Sequence, residues 1–531
     1  MRMYINPGNQ GFRELRTEDY VDKTGLISVV NRTLNGRRRL SCISRPRRFG
    51  KTYAACMLAA YYDASCDSAA LFEGLQIAKN EDSARYRNQF NVLYLDITSF
   101  LSEVEGREGL VPLIRRSVLL DIRDNYAEIY DEERSLPAML QEIVRKDGRK
   151  FVAIIDEWDA PIRDSAATEE SQKRYLEFLR GLFKSNITNE VFAGAYMTGI
   201  LPIKKDGSQS AISEFKEYSI LQPGPFAPYI GFTEEEVKGI CQREEIPFDK
   251  MKEWYDGYSL RYGENEISIY NANSVMEAAD RKEFQSYWRQ SAAVNSLRDY
   301  INMDFDGLGS AAEKLLAGLE IPVKIQNFKN DLTSFESADD VLTLLIHFGY
   351  VTYEQEKEAI RIPNQEIQIE FADMIRKVTH RETMDRVRES DELLDSMVAG
   401  REEAVAQTMQ KIHMEESAMR YYNNEQALRA VIKLALFTYR DHFIKMEELD
   451  TGVGYADIVY LPKKYENYPA LIVELKYNDS ADSGIAQIKQ RNYPDVIKNY
   501  GGDILLVSIS YDKQDLTKEH YCSIEKWSLE P

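Results

Sequence analysis

Two carboxylates and a lysine near the C-terminus have residue types and a spacing suited to phosphodiester hydrolysis. Asp457 lies in the apolar run YADIVYL, and Glu474 and Lys476 lie in the later run ALIVELKY. Metal-dependent hydrolysis needs carboxylates that converge on hard cations such as Mg²⁺, with a cation or base beside the attacking water. Antiparallel pairing of the two runs predicts Asp457 beside Glu474. Because Glu474 and Lys476 are two residues apart, both project from one strand face.

Neighbouring segments predict the elements that would hold this metal site. Upstream, NNEQALRAVIKLALF predicts a helix with Asn423 or Asn424 as its N-cap, which places Glu425 in the first turn, where a carboxylate can lean over the sheet. Downstream, SGIAQIKQRNYPDVI predicts another helix and GDILLVSISY a further strand. For Glu474 and Lys476 alone, an ordinary surface ion pair is the favoured interpretation. Asp457, Glu425 and the element order favour a catalytic metal site.

The stretch RPRRFGKT, residues 45–52, could bind phosphate. It stands between the predicted strand LSCIS and the predicted helix YAACMLAAYY, a context in which the helix N-terminus faces phosphates. Gly50 permits close approach of the backbone, Lys51 can reach the β and γ phosphates, and Thr52 can ligate Mg²⁺. Arg45 stands where a Walker A loop has glycine. A chance Gly-Lys-Thr in a strand-to-helix turn is therefore an equal alternative for this stretch taken alone.

A second motif, which is acidic, makes nucleotide binding the favoured interpretation. FVAIIDEWD is an apolar strand that ends in Asp156 and Glu157, as in a Walker B strand. There the aspartate holds Mg²⁺ through water and the glutamate can polarise an attacking water. The alternative interpretation is that these two acids are ordinary solvated residues at the edge of the sheet. The two motifs together predict nucleotide binding, with Thr52 and Asp156 at Mg²⁺ and Glu157 as a catalytic residue.

Bulk composition sets the protein class. At 531 residues the chain exceeds the size of one hydrophobic core, and it has 44% hydrophobic and 29% charged residues. No apolar run is long enough to span a membrane, and five scattered cysteines suggest reduced thiols in a cytoplasm and no zinc site. The net charge of −20 argues against a surface that coats nucleic acid, although a local basic groove is compatible with it.

The order of predicted elements gives the fold class and the domains. Four apolar runs (40–44, 90–97, 151–159, 191–199) alternate with crossover helices, which predicts a parallel α/β sheet. Thr233 and Glu236 have capping-box spacing and open a helical lid. Two later helices followed by a β-ribbon resemble a winged helix, with acidic segments that favour an interaction module over a DNA reader. Long helices with a joint near Gly400 follow. The predicted domains are 1–230 (ATPase core), 231–305 (lid), 306–375 (winged-helix-like), 376–415 (helical linker) and 416–531 (small mixed-sheet α/β domain).

Several motifs in order resemble the bacterial AAA-ATPase-like family. They are YVDKTGLI, RPRRFGKT, IIDEWDAPI, TGI, GFTEEEV, WYDGYS, IYNANSV and IPNQEI, and they span most of residues 1–370. Members of that family typically carry a C-terminal PD-(D/E)xK nuclease domain, which the C-terminal element order also resembles. The resemblance implies that Arg45 is a family feature, that Arg47 and Arg48 belong to the phosphate site, and that Thr198 senses the γ-phosphate. It also matches Gln487 to a downstream glutamine of the nuclease site.

These observations predict an ATP-regulated, Mg²⁺-dependent nuclease in which Mn²⁺ can substitute. ATP and nucleic acid, with DNA as the first candidate, are the expected partners; no membrane partner is expected, and self-association is left open. The alternative is a nucleotide-dependent switch or DNA-binding protein whose nuclease fold serves only as a grip. A helicase-type motor is disfavoured because no helicase motif series accompanies the two nucleotide motifs.

Overall fold

The structure is a computed structural model of residues 1–531. The structure describes residues 3–17, 19–81, 83–164, 166–184, 187–203, 205–206, 209–210, 212, 214–288, 305–325, 335, 337–376, 381–416, 431–432, 435–436, 438, 442–450, 455–463, 468–491, 497, 502–512 and 519–527.

Eighteen strands are present in these residues. In chain order they are β1 (Leu40–Ser44), β2 (Asn91–Asp96), β3 (Phe151–Asp156), β4 (Phe192–Gly199), β5 (Lys205–Asp206), β6 (Gln209–Ser210), β7 (Lys216–Tyr218), β8 (Phe232–Thr233), β9 (Tyr258–Tyr262), β10 (Asn265–Tyr270), β11 (Ile321–Pro322), β12 (Thr352–Glu354), β13 (Ala359–Arg361), β14 (Phe443–Asp450), β15 (Tyr455–Pro462), β16 (Ala470–Tyr477), β17 (Ile504–Tyr511) and β18 (His520–Trp527).

Helices connect most of the strands. They are α1 (Gln10–Leu15), α2 (Gly25–Asn31), α3 (Lys51–Tyr62), α4 (Ala69–Phe72), α5 (Ser83–Tyr86), α6 (Ile97–Glu103), α7 (Leu110–Asn125), α8 (Leu136–Asp147), α9 (Ala160–Arg163), α10 (Glu169–Phe183), α11 (Thr188–Val191), α12 (Glu234–Glu244), α13 (Phe248–Tyr255), α14 (Ala272–Arg281), α15 (Leu308–Leu316), α16 (Ala338–Phe348), α17 (Gln365–Arg376), α18 (Arg381–Val398), α19 (Glu402–Glu416) and α20 (Ala481–Gln490).

Compact packing divides the chain into two units. Unit 1 comprises residues 1–296 and 322–367, and unit 2 comprises residues 297–321 and 368–531. The predicted winged-helix-like region 306–375 is thus shared between the units, and the boundaries of the five predicted domains stay predictions. None of the helices in the described residues is both long and apolar enough to cross a bilayer.

A five-stranded parallel sheet forms the centre of unit 1. Its order is β2-β3-β4-β1-β7, and each neighbouring pair is parallel. The predicted parallel α/β sheet is confirmed. All residues of β1, β3 and β4 are buried, as expected for strands covered by helices on both faces. Because the strands are parallel, the segments that follow Ser44, Asp156 and Gly199 leave the sheet at the same edge.

The predicted lid contains both helices and a small sheet. Thr233 caps α12 with the expected capping box to Glu236. A three-stranded antiparallel sheet of order β8-β10-β9 accompanies the helices, which the prediction of a purely helical lid missed. Its strands are short, and the charged turn between β9 and β10 obscures their alternation in the sequence.

A mixed five-stranded sheet forms the centre of the described part of unit 2. Its order is β14-β15-β16-β17-β18; β16 and β17 are parallel and the other neighbours are antiparallel. The small mixed-sheet α/β domain is therefore confirmed. Helix α20 packs on one face against Val459, Ile472 and Leu506. Before the sheet, α18 and α19 meet at Gly400, whose φ of 69° supplies the predicted joint.

Candidate functional site

The Gly-Lys-Thr segment lies at the start of α3, after the loop of residues 45–49 that follows β1. Gly50 is the N-cap of α3 and has a φ of 87°, a backbone conformation that favours glycine. The Lys51 side chain is buried, and its Nζ donates to the carbonyl oxygens of Arg45 at 3.2 Å and Pro46 at 3.0 Å. The lysine that would bind phosphate is thus folded back onto its own loop.

Asp156 ends β3 beside two hydroxyl groups. It accepts hydrogen bonds from the hydroxyls of Thr52 and Thr198. Burial raises the pKa of Asp156 above its ordinary value, although both hydrogen bonds act in the opposite direction. The structure therefore brings together Thr52, Asp156 and Thr198, which the sequence had placed on three separate segments.

Glu157 follows Asp156 in a left-handed backbone conformation, with a φ of 50°. One carboxylate oxygen, Oε1, is 3.3 Å from Lys51 Nζ, and the other, Oε2, is 2.6 Å from Nη2 of Arg163. Burial alone would raise the pKa of Glu157, but the charges of Lys51, Arg163 and Arg47 outweigh it and lower the pKa below its ordinary value. Glu157 is therefore held ionised between cations.

Arg163 and Asp159 were missed by the sequence reasoning. Both lie in the stretch IIDEWDAPIR, four residues apart, and Arg163 Nε donates to Asp159 Oδ2 at 2.7 Å across α9. The available signal was this spacing, which lets an aspartate and an arginine meet on one helical turn. That spacing alone cannot show that the turn also brings Arg163 onto Glu157.

The three loop arginines occupy different environments. Arg45 is buried and donates from Nη1 to the carbonyl oxygens of Ser44 and Tyr218, which ties the loop to the edge strand β7; burial lowers the pKa of Arg45 to about 10. Arg47 is exposed and lies close enough to Glu157 to affect its pKa. Arg48 lines the cavity described below. The proposed phosphate-site role of Arg47 and Arg48 stays a prediction.

A cavity of about 760 Å³ opens over the start of α3. Its polar side is formed by Arg48, Gly50, Lys51, Thr52 and Glu157, and its other side includes Tyr20, Val21, Phe232 and Met276. This volume falls in the range of small-molecule sites, and an apolar wall facing a few polar groups is typical of them. The cavity joins residues from five of the motifs that carry the family resemblance.

Backbone hydrogen bonds connect the predicted lid, residues 231–305, to the loop formed by residues 45–52. Gly231 N donates to the carbonyl of Phe49 at 2.7 Å, and Asn273 N donates to the carbonyl of Arg48 at 3.2 Å. Lys23 Nζ also forms a 2.5 Å ion pair with Glu236 at the start of α12. Movement of the loop formed by residues 45–52 would therefore reach the lid segments directly.

In unit 2, Glu474, Lys476 and Gln487 form one hydrogen-bonded cluster. Lys476 Nζ is 3.0 Å from Glu474 Oε1 and donates to Gln487 Oε1 at 2.6 Å, while Gln487 Nε2 donates to Glu474 Oε1. The Glu474 side chain is only 4% exposed, so the pair is not the solvated surface ion pair considered above. The cluster lies where α20 covers the end of β16.

Asp457 occupies a matching register position on the next strand. β15 and β16 pair antiparallel with Ile458 opposite Val473, as the sequence predicted, and continuing this register by one residue sets Asp457 opposite Glu474. Residues directly opposite share a face of the sheet. The side chain of Asp457 and the whole of Glu425 lie outside the described residues. Within the part of the chain that is described, no cluster of three or more His, Cys, Asp or Glu residues could hold a metal ion.

Comparisons with known families match one family to part of unit 1 and another to part of unit 2. The family described as predicted AAA-ATPase (AAA-ATPase-like) matches residues 7–208, and the PD-(D/E)XK nuclease superfamily matches residues 423–521. The chain joins an AAA-ATPase-like domain to a PD-(D/E)XK nuclease superfamily domain. A relative, an uncharacterized protein in the vnfD 5' region of Azotobacter chroococcum mcd 1, is 23% identical over 533 residues, covering 95% of this chain and 96% of its own.

Solved structures show looser similarity to this chain. The ORC2 protein of Aeropyrum pernix, in ADPNP-ADP complexes, matches 68% of this chain and 96% of its own at 12% identity, with a TM-score of 0.33. Cdc6p of Pyrobaculum aerophilum matches 67% and 92% at 11% identity, with a TM-score of 0.26.

Proposed function

We propose that the AAA-ATPase-like domain binds and hydrolyses ATP in the 760 Å³ cavity. The observation that carries the proposal is the meeting of Lys51 and Thr52, at the start of α3, with Asp156 and Glu157, at the end of β3. Lys51 would exchange its two loop carbonyls for the β and γ phosphates, and Glu157 would accept the proton of an attacking water.

The residues around Asp156 fit a magnesium ion. A carboxylate beside the Thr52 hydroxyl offers hard oxygen donors, and the raised pKa of the buried Asp156 indicates a carboxylate whose negative charge is incompletely compensated. When bound, Mg²⁺ would neutralise phosphate charge. Thr198, through its hydrogen bond to Asp156, would hold that carboxylate in place.

The test is ATP binding by calorimetry together with steady-state hydrolysis. Lys51→Ala should abolish hydrolysis and weaken binding, because the loop loses its phosphate cation, whereas Glu157→Gln should bind ATP and hydrolyse it slowly. Lys146→Ala, which removes a lysine from an exposed ion pair with Glu128, is the matched control. A wild type that binds neither ATP nor GTP would refute the proposal.

We further propose that the nuclease superfamily domain cleaves nucleic acid, with DNA as the first candidate. The cluster of Glu474, Lys476 and Gln487 supports this, because a nearly buried carboxylate is joined there to a lysine and to an orienting amide. Oxygen donors at Asp457 and Glu474 would suit Mg²⁺ or Mn²⁺, which would supply an activated water and polarise the phosphate. Lys476 would position that water or accept its proton, Gln487 would hold Lys476 and Glu474 in register, and Glu425 would complete the site.

Time-resolved cleavage of labelled single- and double-stranded DNA and RNA, with Mg²⁺, Mn²⁺ or EDTA, tests this second proposal. Asp457→Asn or Glu474→Gln should lower cleavage by orders of magnitude, and Lys476→Ala should spare metal binding while removing catalysis. Lys489→Ala, on the same helix as Gln487 but in a surface pair with Glu525, is the control. Cleavage that persists in Asp457→Asn would point to a contaminant or another site. Its absence from the wild type under every condition would favour the nucleotide-switch alternative.

A further inference from the structure

Arg163 is a buried cation that contacts the candidate catalytic glutamate directly. Its side chain is 6% exposed, and its Nη2 lies 2.6 Å from Glu157 Oε2. It stands at the end of the short helix α9, six residues after Glu157. None of the motifs used to recognise the nucleotide site assigns it a role.

Asp159 anchors Arg163 to the backbone of the neighbouring strand. The Asp159 side chain is fully buried, and its Oδ2 accepts from Arg163 Nε at 2.7 Å, from Ile200 N at 3.1 Å and from Leu201 N at 2.8 Å. The two amides lie immediately after β4. The guanidinium is therefore fixed by a carboxylate that the central sheet itself holds, and a rigid support of this kind preserves catalytic geometry.

Lys51 and Arg163 hold opposite oxygens of Glu157. Lys51 Nζ is 3.3 Å from Oε1, while Arg163 holds Oε2. Under the proposed ATP hydrolysis, phosphates compete with Glu157 for Lys51, whereas the bond between Arg163 and Glu157 has its own anchor in Asp159. If Lys51 moved to the phosphates, Oε1 of Glu157 would be exposed, while Oε2 would stay fixed by Arg163.

We infer that Arg163 is the positioning residue for Glu157 in nucleotide hydrolysis, an inference that rests on the proposed ATPase function. Arg163 keeps one carboxylate oxygen in place while the other faces the water, and it compensates the charge of Glu157 once Lys51 has moved to the phosphates. Its contribution therefore belongs to the chemical step rather than to nucleotide affinity. A misplaced base in an otherwise intact site can cost about 10²-fold in rate.

The proposal has a signature in the division between nucleotide affinity and turnover. A residue that positions Glu157 acts on the chemical step, so its loss should lower kcat and leave ATP affinity nearly unchanged. A purely structural arginine would lower stability and would affect binding and turnover together.

The experiment compares full-length wild type with Arg163→Gln and Arg163→Lys, measuring ATP affinity and kcat. Arg174→Gln, which removes an exposed arginine paired with Glu170 at the same four-residue spacing, is the control. Arg163→Gln should keep ATP affinity within about threefold and lower kcat by about 10²-fold. Arg163→Lys keeps the charge but loses the fork to Asp159, so kcat should fall less than in Arg163→Gln.

The outcomes separate this inference from the proposed function. If the wild type hydrolyses ATP and both Arg163 variants match it, or if Arg163→Gln loses ATP affinity with kcat unchanged, the inference is wrong and the ATPase proposal stands. If the wild type neither binds nor hydrolyses nucleotide, both fall. Should Arg163→Gln not fold, Arg163→Lys decides alone: unchanged kcat refutes the inference, and a lower kcat with unchanged ATP affinity supports it.

Discussion

At the residue scale, His347 makes the stability of unit 1 depend on pH. It lies buried in α16, and burial, assisted by the charge of Arg45, lowers its pKa from 6.5 to about 3. Below pH 6.5 the unfolded chain binds a proton that the folded protein does not, so stability falls as pH falls, by about 1.4 kcal/mol per unit until the folded pKa is reached. His347 therefore stabilises unit 1 fully only above pH 6.5.

His347→Gln should remove this dependence. Between pH 6.5 and about pH 5, the variant should lose about 2 kcal/mol less stability than the wild type. Urea unfolding of both proteins at several pH values measures the difference, and a comparison at about pH 8, where the histidine is neutral in both states, gives the direct cost of the substitution. Parallel curves for the two proteins would contradict the assignment.

Sequence reasoning identified the residues of the candidate sites that lie in recognisable strand-end patterns. Glu157 follows Asp156 at the end of an apolar strand, and Glu474 and Lys476 share a strand face, so spacing alone could nominate them. Arg163 depends on the path of a four-residue helix, and Asp159 on amides that follow β4. Neither the contact of Arg163 with Glu157 nor that of Asp159 with these amides follows a regular spacing in the sequence, so only the folded chain reveals them.

At the element scale, the approach of α20 to the sheet depends on Gly484. A Cβ at this position would lie 2.0 Å from Ser508 Oγ, 2.9 Å from Ser508 Cβ and 3.3 Å from Lys476 Cγ. Rotation of the hydroxyl relieves only the first of these contacts. A methyl group here must push the helix away from β16 and β17, and Gln487 would move with it.

Gly484→Ala should therefore destabilise the protein by about 1–3 kcal/mol and reduce nuclease activity. Gly181→Ala is the matched control, since Gly181 is also helical, in α10, and a Cβ there would meet nothing within 4 Å; it should be neutral or stabilise by up to about 1 kcal/mol. Chemical denaturation of both variants checks the contrast. Equal effects of the two substitutions would mean that helix propensity, and not the contact with Ser508, determines the result.

The same scale shows what strand and helix patterns can predict. The runs 40–44, 90–97, 151–159 and 191–199 correspond to β1, β2, β3 and β4, because buried parallel strands are continuous apolar stretches. The strand β18 was not predicted, since charged residues interrupt HYCSIEKW and only pairing with β17 makes it a strand. Burial against a neighbour decides such segments, and the neighbour is distant in sequence.

At the scale of the whole molecule, each unit contains chain segments that are far apart in sequence. Residues 322–367 belong with 1–296, and residues 297–321 belong with 368–531. Local sequence patterns correctly predicted the helices and the β-ribbon of region 306–375. They did not predict which unit each of these elements belongs to, because that depends on contacts between segments that are distant in sequence. The cavity of about 760 Å³ in which ATP binding is proposed lies wholly within unit 1, so the effect of ATP on unfolding should be specific to that unit.

Tryptophan fluorescence can isolate that effect. Of the four tryptophans, Trp158, Trp254 and Trp288 lie in unit 1, and only Trp527 lies in unit 2. In Trp527→Phe, fluorescence therefore reports the unfolding of unit 1 alone. ATP with Mg²⁺ at 100 times its Kd should stabilise this transition by about 2.7 kcal/mol, because ligand binds the folded unit and not the unfolded chain.

Two second-site variants in the Trp527→Phe background determine the source of the stabilisation. Lys51→Ala should lose most of it, since the cation that would hold the phosphates is gone, whereas Asp457→Asn should keep it in full, since that residue belongs to unit 2. Thermal unfolding with and without nucleotide, followed by tryptophan emission, is the measurement. An equal shift in the Lys51→Ala variant would place nucleotide binding outside the cavity at the start of α3. Loss of the shift in Asp457→Asn would show that the nuclease site and the nucleotide site are energetically coupled.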